Sequence, residues 1–163
     1  MAGVTIRQAA PADTGLVLAF IRELADYEKL SQEVRATEDD VRALLFAPSP
    51  RAFCDIAQVE GEAVGFAFWF YNVSTFEGRC GIYLEDLFVR PAARGRGAGK
   101  ALLAHLAAQC VSEGLARLTW AVLDWNAPSI AFYDSLGATA KTERITRQLS
   151  GAALENLARL PTV

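Results

Sequence analysis

A chain of 163 residues, 52% hydrophobic and 21% charged, has the composition of a globular fold, long enough to bury a core without a disulfide or a metal. Sixteen Lys and Arg against 19 Asp and Glu leave a formal charge of −3 at pH 7, which argues against a protein that coats nucleic acid. One histidine, His105, and three scattered cysteines without a C-x-x-C pair speak against a metal centre, a disulfide framework and a Ser-His-Asp triad. No apolar run approaches the ~18 residues of a membrane span, and MAGVTIRQAAPAD lacks the basic-then-apolar form of a signal peptide. The expectation is one cytoplasmic domain over residues 1–163, with no membrane or nucleic-acid partner.

Val4 to Arg7 alternates as a short strand. Pro11-Ala12-Asp13 opens a helix in which Leu16, Val17, Phe20, Ile21 and Leu24 recur at helical spacing as far as Tyr27. Thr37 is a good N-cap for a second helix, Glu38–Phe46, whose three acidic residues in the first turn suit the helix dipole. Pro48-Ser49-Pro50 stops it. Strands over Phe53–Val59 and Ala63–Tyr71 flank a Glu60-Gly61-Glu62 turn, Asn72–Gly78 reads as a loop, and Gly81–Arg90 reads as a central strand. The glycine-rich segment Arg94–Gly99 leads into a helix that Gly114 stops. A strand over Leu118–Leu123, a helix over Asn126–Leu136, a strand over Ile145–Leu149 and a closing helix over Ser150–Leu160 complete an interleaved α/β layer fold.

The segment Arg94-Gly95-Arg96-Gly97-Ala98-Gly99-Lys100 places three glycines in five positions between a strand and a helix. Glycines let the backbone approach a ligand, and successive N–H groups at a helix N-terminus attract an anion. With Arg94, Arg96 and Lys100 adding positive charge, the target is a phosphate-bearing ligand; a bare tight turn is the alternative. The Walker A pattern fails, because residue 94 is arginine and residue 101 alanine. The dinucleotide pattern fails too, because residues 100 and 102 are not glycine.

Glu85 and Asp86 stand inside the apolar strand, where consecutive residues face opposite ways. An ionised carboxylate buried without a partner costs several kcal/mol, so two in a central strand mark a site or structural ion pairs.

The run R-x-x-G-x-G at Arg94–Gly99 resembles the pyrophosphate loop of the GNAT acetyltransferase superfamily. Asp124-Trp125-Asn126-Ala127-Pro128-Ser129-Ile130-Ala131-Phe132-Tyr133, followed by Leu136-Gly137-Ala138, is similar to the second signature of that superfamily. Ile6-Arg7, Glu23–Glu28, Tyr83–Val89 and Asp124–Ile130 further resemble its spermidine/spermine and thialysine N-acetyltransferase branch.

The resemblance implies a mixed central sheet of about six to seven strands with helices on both faces. It also implies direct transfer of acetyl from acetyl-CoA to a small primary amine, a diamine, polyamine or lysine-like amino acid, by a homodimeric enzyme. Acetylation of a protein or peptide amine and a non-catalytic CoA-sensing domain are the alternatives. Carried onto this chain, the cofactor residues are Leu87, Phe88, Val89, Arg94 to Lys100, Asn126, Ser129 and Tyr133. The amine residues are Tyr27, Glu28, Glu85, Asp86 and Trp120, with Trp120 also explicable as packing. Glu85 takes the role of a base acting through water. Tyr133, seven residues and so two helical turns from Asn126, takes that of the acid: a phenol of pKa about 10 is protonated at pH 7 and can protonate a departing thiolate.

Overall fold

The chain opens with β1 (Val4–Gln8), a single 3-10 turn at Pro11–Asp13, and α1 (Thr14–Tyr27), as seen in a computed structural model that describes residues 3–160. Asp13 ties strand to turn: its carboxylate accepts two hydrogen bonds from the Arg7 guanidinium, at 2.7 and 2.8 Å, and one from the Ala10 N–H. The Arg7 contact holds the Asp13 carboxyl below its ordinary pKa. α2 spans Glu38–Phe46 as expected, and Thr37 caps it reciprocally. The Asp40 N–H donates to Thr37 Oγ1 at 3.2 Å, while the Asp40 carboxylate accepts from the Thr37 N–H at 2.8 Å.

β2 (Phe53–Val59) and β3 (Glu62–Ser74) form a hairpin whose two loop residues, Glu60 and Gly61, have φ of 54° and 83°. Both central residues are thus left-handed, as a type I′ turn requires. β3 then runs to Ser74 and β4 covers Arg79–Val89, so the expected Asn72–Gly78 loop is shorter than it reads. α3 spans Ala98–Ser112 and β5 Leu118–Trp120. The sheet order is β1-β2-β3-β4-β5, antiparallel except for the parallel β4–β5 pair. A Cβ at Gly65 would collide with the Phe88 carbonyl, so glycine there permits the close β3–β4 approach.

Side-chain alternation assigns the two faces. Cys54, Ile56, Phe66, Phe68 and Phe88 join Val17, Phe20 and Val41 in one apolar core, which places α1 and α2 on that side. Phe20 stacks on Phe66 at 5.4 Å between ring centroids. Asp55, Trp69 and Tyr71 alternate with those residues and meet α3 on the other side, so helices cover both faces.

The described sheet has five strands rather than six or seven. Of the six strands read from the sequence, one is missing and one is shortened. Leu118–Leu123 pairs only as far as Trp120, and residues 145–149 form no regular element. Ile145 and Leu149 are 78% and 49% exposed, so no buried face selects extended pairing there.

The described chain falls into two compact units, one running to Ala121 and one beginning at Val122. The second contains α4 (Ala127–Ser135) and α5 (Gly151–Ala158).

Candidate active site

The ladder between β3 and β4 breaks at the two acidic residues. Phe68 pairs with Asp86, but the next residue, Trp69, pairs with Leu84. Glu85 is therefore the extra residue of a β-bulge. Because Phe68 belongs to the core under α1, its partner Asp86 lies on the α1 side of the sheet. Glu85 itself is exposed. Regular alternation, which would point the two carboxylates to opposite faces, is interrupted at this point.

A third carboxylate joins them from α1. Burial, then the charges of Glu85 and Glu28, push the Asp86 carboxyl from its ordinary 3.8 up to about 7. Burial likewise raises the carboxyl of Glu28, which stands at the C-terminal end of α1. Burial and then the Glu85 charge raise the Tyr83 phenol. In this cluster the charges of Glu85 and Glu28 oppose the ionisation of Asp86, and a bound cation would relieve that opposition.

The Asp86 shift has a sign. Between pH ~4 and ~7 the folded protein holds a proton on Asp86 that the unfolded chain has lost, so folding stability falls as pH rises through that window. Asp86→Asn removes the charge and keeps the shape. Urea unfolding should find it more stable than the parent at pH 8 by on the order of 2–4 kcal/mol, with near equality at pH 4. Equal differences at both pH values would show that Asp86 ionises normally.

Beyond β4, a 3-10 turn at Pro91–Ala93 leads into the glycine loop. Gly95 and Gly97 have φ of 76° and 87°, a conformation that favours glycine, and a Cβ at either would meet nothing within 4 Å. Gly97 is the N-cap of α3, and the first helical bond runs from the Ala101 N–H to the Gly97 carbonyl. The N–H groups of residues 98–100 therefore have no acceptor within the helix. Arg96 and Lys100 are exposed at this open, donor-rich turn. Such a donor set fits a pyrophosphate, the group through which CoA would be held.

Arg94 folds back. Its Nε donates to the Val89 carbonyl at 2.9 Å, and its guanidinium lies 4.5 Å from the Tyr27 ring centroid and 5.8 Å from that of Phe88. A cofactor-loop candidate and an amine-site candidate thus touch. Of the other cofactor-site candidates in this unit, Phe88 is core, 4% exposed, and Leu87 and Val89 are half-buried on the same strand. Trp120 is half-buried at the end of β5 opposite Leu84, next to the bulge in register.

In the second unit, Asn126 is 5% exposed and caps α4, its side-chain oxygen accepting from the Ser129 N–H at 3.4 Å. Pro128 sits in the first turn and Gly137, at φ 82°, follows the end. Tyr133 is half-buried in the last turn, its ring 5.5 Å from that of Phe132.

Three contacts escaped the sequence. The bulge was one, although a signal existed: Ile82 and Leu84 share a face with Leu87, an odd step that uninterrupted alternation forbids. The Arg94–Tyr27 stack was another, since residues so far apart in the chain carry no local sign of contact. The third concerns His105: it is 43% exposed, yet its Nε2 lies 3.5 Å from the buried Asp55 carboxylate.

Similarity to known proteins agrees with this geometry. Over 151 residues the chain is 40% identical to the thialysine N-epsilon-acetyltransferase of Bos taurus, covering 88% of each chain. It is 29% identical over 200 residues to the L-ornithine N5-acetyltransferase of Arabidopsis thaliana, covering 95% of this chain and 88% of the other. Among solved structures it superposes on an integron cassette protein of V. cholerae with a TM-score of 0.80, at 26% identity over 98% of this chain and 99% of that one. Residues 18–138, from α1 through the end of α4, match the Acetyltransferase (GNAT) family, and the chain is a member of that family of acetyltransferases.

Proposed function

We propose that the protein transfers the acetyl group of acetyl-CoA directly to a primary amine of a small molecule, either a lysine-like amino acid or a diamine or polyamine. The observation that carries this reading is the group of carboxylates at the β4 bulge, Glu85, Asp86 and Glu28, on the same unit as the glycine loop. The charges of Glu85 and Glu28 raise the Asp86 pKa, a cationic guest would stabilise the group, and small amines are ammonium ions at neutral pH. The thialysine and ornithine named for the two relatives are amino acids with a terminal side-chain amine, which fits such a guest.

Bound acetyl-CoA would supply an activated acetyl thioester. The residues of the chain do the rest. Gly95, Gly97 and the first amides of α3, with Arg96 and Lys100, hold the pyrophosphate. Asp86 and Glu28 orient the ammonium, and Tyr27 walls it under Arg94. Glu85 accepts, through water, the proton the amine must lose before its nitrogen attacks. The Tyr133 hydroxyl gives its proton to the sulfur as the carbon–sulfur bond breaks.

A thiol-release screen with acetyl-CoA tests the reading. Thialysine, ornithine, diamines and polyamines should be turned over far better than peptides with free lysine or N-terminal amines. Preference for peptides would overturn it, and no release with any amine would favour a CoA-sensing domain. The loop has its own test: Gly97→Glu places a bulky, negative side chain at a φ of 87°, where an anion is to sit. Calorimetric titration should show CoA affinity falling by at least about tenfold, or ~1.4 kcal/mol. An unchanged affinity would remove the loop from the cofactor site.

A further inference from the structure

On the α3 side of the sheet, the face opposite the bulge carboxylate Asp86, lies a cavity of about 280 Å³. Among its polar lining residues is Asp55, whose side chain is only 7% exposed. Asp55 Oδ2 accepts a short hydrogen bond, 2.7 Å, from the Trp69 indole Nε1. Its other oxygen, Oδ1, faces His105 Nε2 at 3.5 Å, longer than a good hydrogen bond. A carboxylate has about four acceptor positions, so this buried charge is served by one short donor and one long one. Holding Trp69 would need only a neutral acceptor. A buried carboxylate costs several kcal/mol more unless a cation compensates it.

The surroundings suit a cation. Phe53 stacks on Trp69 at 4.6 Å, and Tyr71 meets both edge-on, at 5.5 and 5.3 Å. Aromatic rings beside an anion attract organic cations. The Tyr71 hydroxyl donates to the Glu113 carboxylate at 2.9 Å and accepts from Gln109 Nε2 at 3.1 Å, so a second negative charge stands at that end. The arginine of the lining, Arg7, is engaged by Asp13 and does not neutralise Asp55. Burial also pushes the Asp55 carboxyl above its ordinary pKa despite the Trp69 and His105 contacts, as expected for an anion short of partners.

We propose that this cavity is a second ligand site, for a primary alkylammonium ion, formed by Asp55, Trp69, Phe53, Tyr71, His105 and Gln109. The ammonium N–H groups donate to Asp55 Oδ1, and the alkyl chain lies against the Phe53 and Tyr71 rings. The site belongs to the sheet face that carries α3 and does not depend on the proposed acetyl-transfer residues.

The test is a proton–nitrogen NMR titration of the Trp69 indole with n-butylammonium chloride, using Trp69→Phe to assign the resonance among the three tryptophans. The indole signal should move saturably, with half-saturation at about 1–10 mM. Asp55→Asn keeps an oxygen for the indole but not the charge, and should weaken binding by tenfold or more. Tyr71→Ala, at a residue 39% exposed, removes one wall and should weaken it severalfold, which serves if the buried variant does not fold. Asp86→Asn should leave this titration unchanged, because it acts on the other face. An indole unmoved by about 50 mM butylammonium, an equal shift with sodium chloride, or an unaltered titration in both cavity variants would each overturn the proposal.

Discussion

Tyr133→Phe should lower kcat by about 10²–10⁴, or roughly 3–5 kcal/mol of barrier, the usual worth of a positioned general acid. The substitution removes one hydroxyl from the last turn of α4 and keeps the ring that packs near Phe132. Folding and CoA affinity should therefore change little. The loss belongs in kcat because negative charge on sulfur develops only along the reaction path, so the hydroxyl contributes nothing to ground-state binding. Single-turnover kinetics, in which chemistry is isolated from product release, is the measurement. Turnover within about twofold of the parent would return Tyr133 to a packing role and assign sulfur protonation to solvent or another donor.

Glu85→Gln should show a loss that depends on pH. An alkylammonium has a pKa near 10.4, so at pH 7 only roughly one molecule in a few thousand is the free nucleophile. A base that takes the proton within the complex removes that handicap, and its deletion should cost about 10²–10³ in kcat/KM at pH 7. As the pH approaches 10, solution supplies the free amine and the two enzymes should converge. Glutamine has the size of glutamate, so the bulge is retained. A ratio that stays constant across pH would identify Glu85 as structural or electrostatic rather than as a base.

Much of the architecture could be read from local pattern. The Thr37 cap, the Glu60-Gly61 hairpin turn and the glycine loop before α3 each depend on residues within four positions of one another, and each is where the sequence put it. Segments whose state depends on distant partners were harder. Ile145 and Leu149 would share one face of an extended segment, but such a pattern records only what a strand could bury, and no described strand receives them. The candidate site divides in the same way. Its loop and cap residues were found from motifs. The stack of Arg94 on Tyr27 and the approach of Glu28 to Asp86 arise when the end of α1 meets the β4 bulge, and nothing near either residue in sequence announces it.

The bulge at Glu85 makes β4 tolerant of a change in chain length at that point. With Glu85 present, Ile82 and Leu84 share the α3 side with Leu87, while Tyr83, Asp86 and Phe88 face α1. Deleting the residue would make Leu84 and Asp86 neighbours, and the ladder would run from the Trp69–Leu84 pair straight to the Phe68–Asp86 pair with both halves of the strand on their present faces. A deletion at Tyr83 would instead turn over the residues before it, carrying Ile82 to the α1 side. Position 85 is thus a place where β4 can lose a residue without changing which side chains each face buries, and what the strand would lose there is the carboxylate itself.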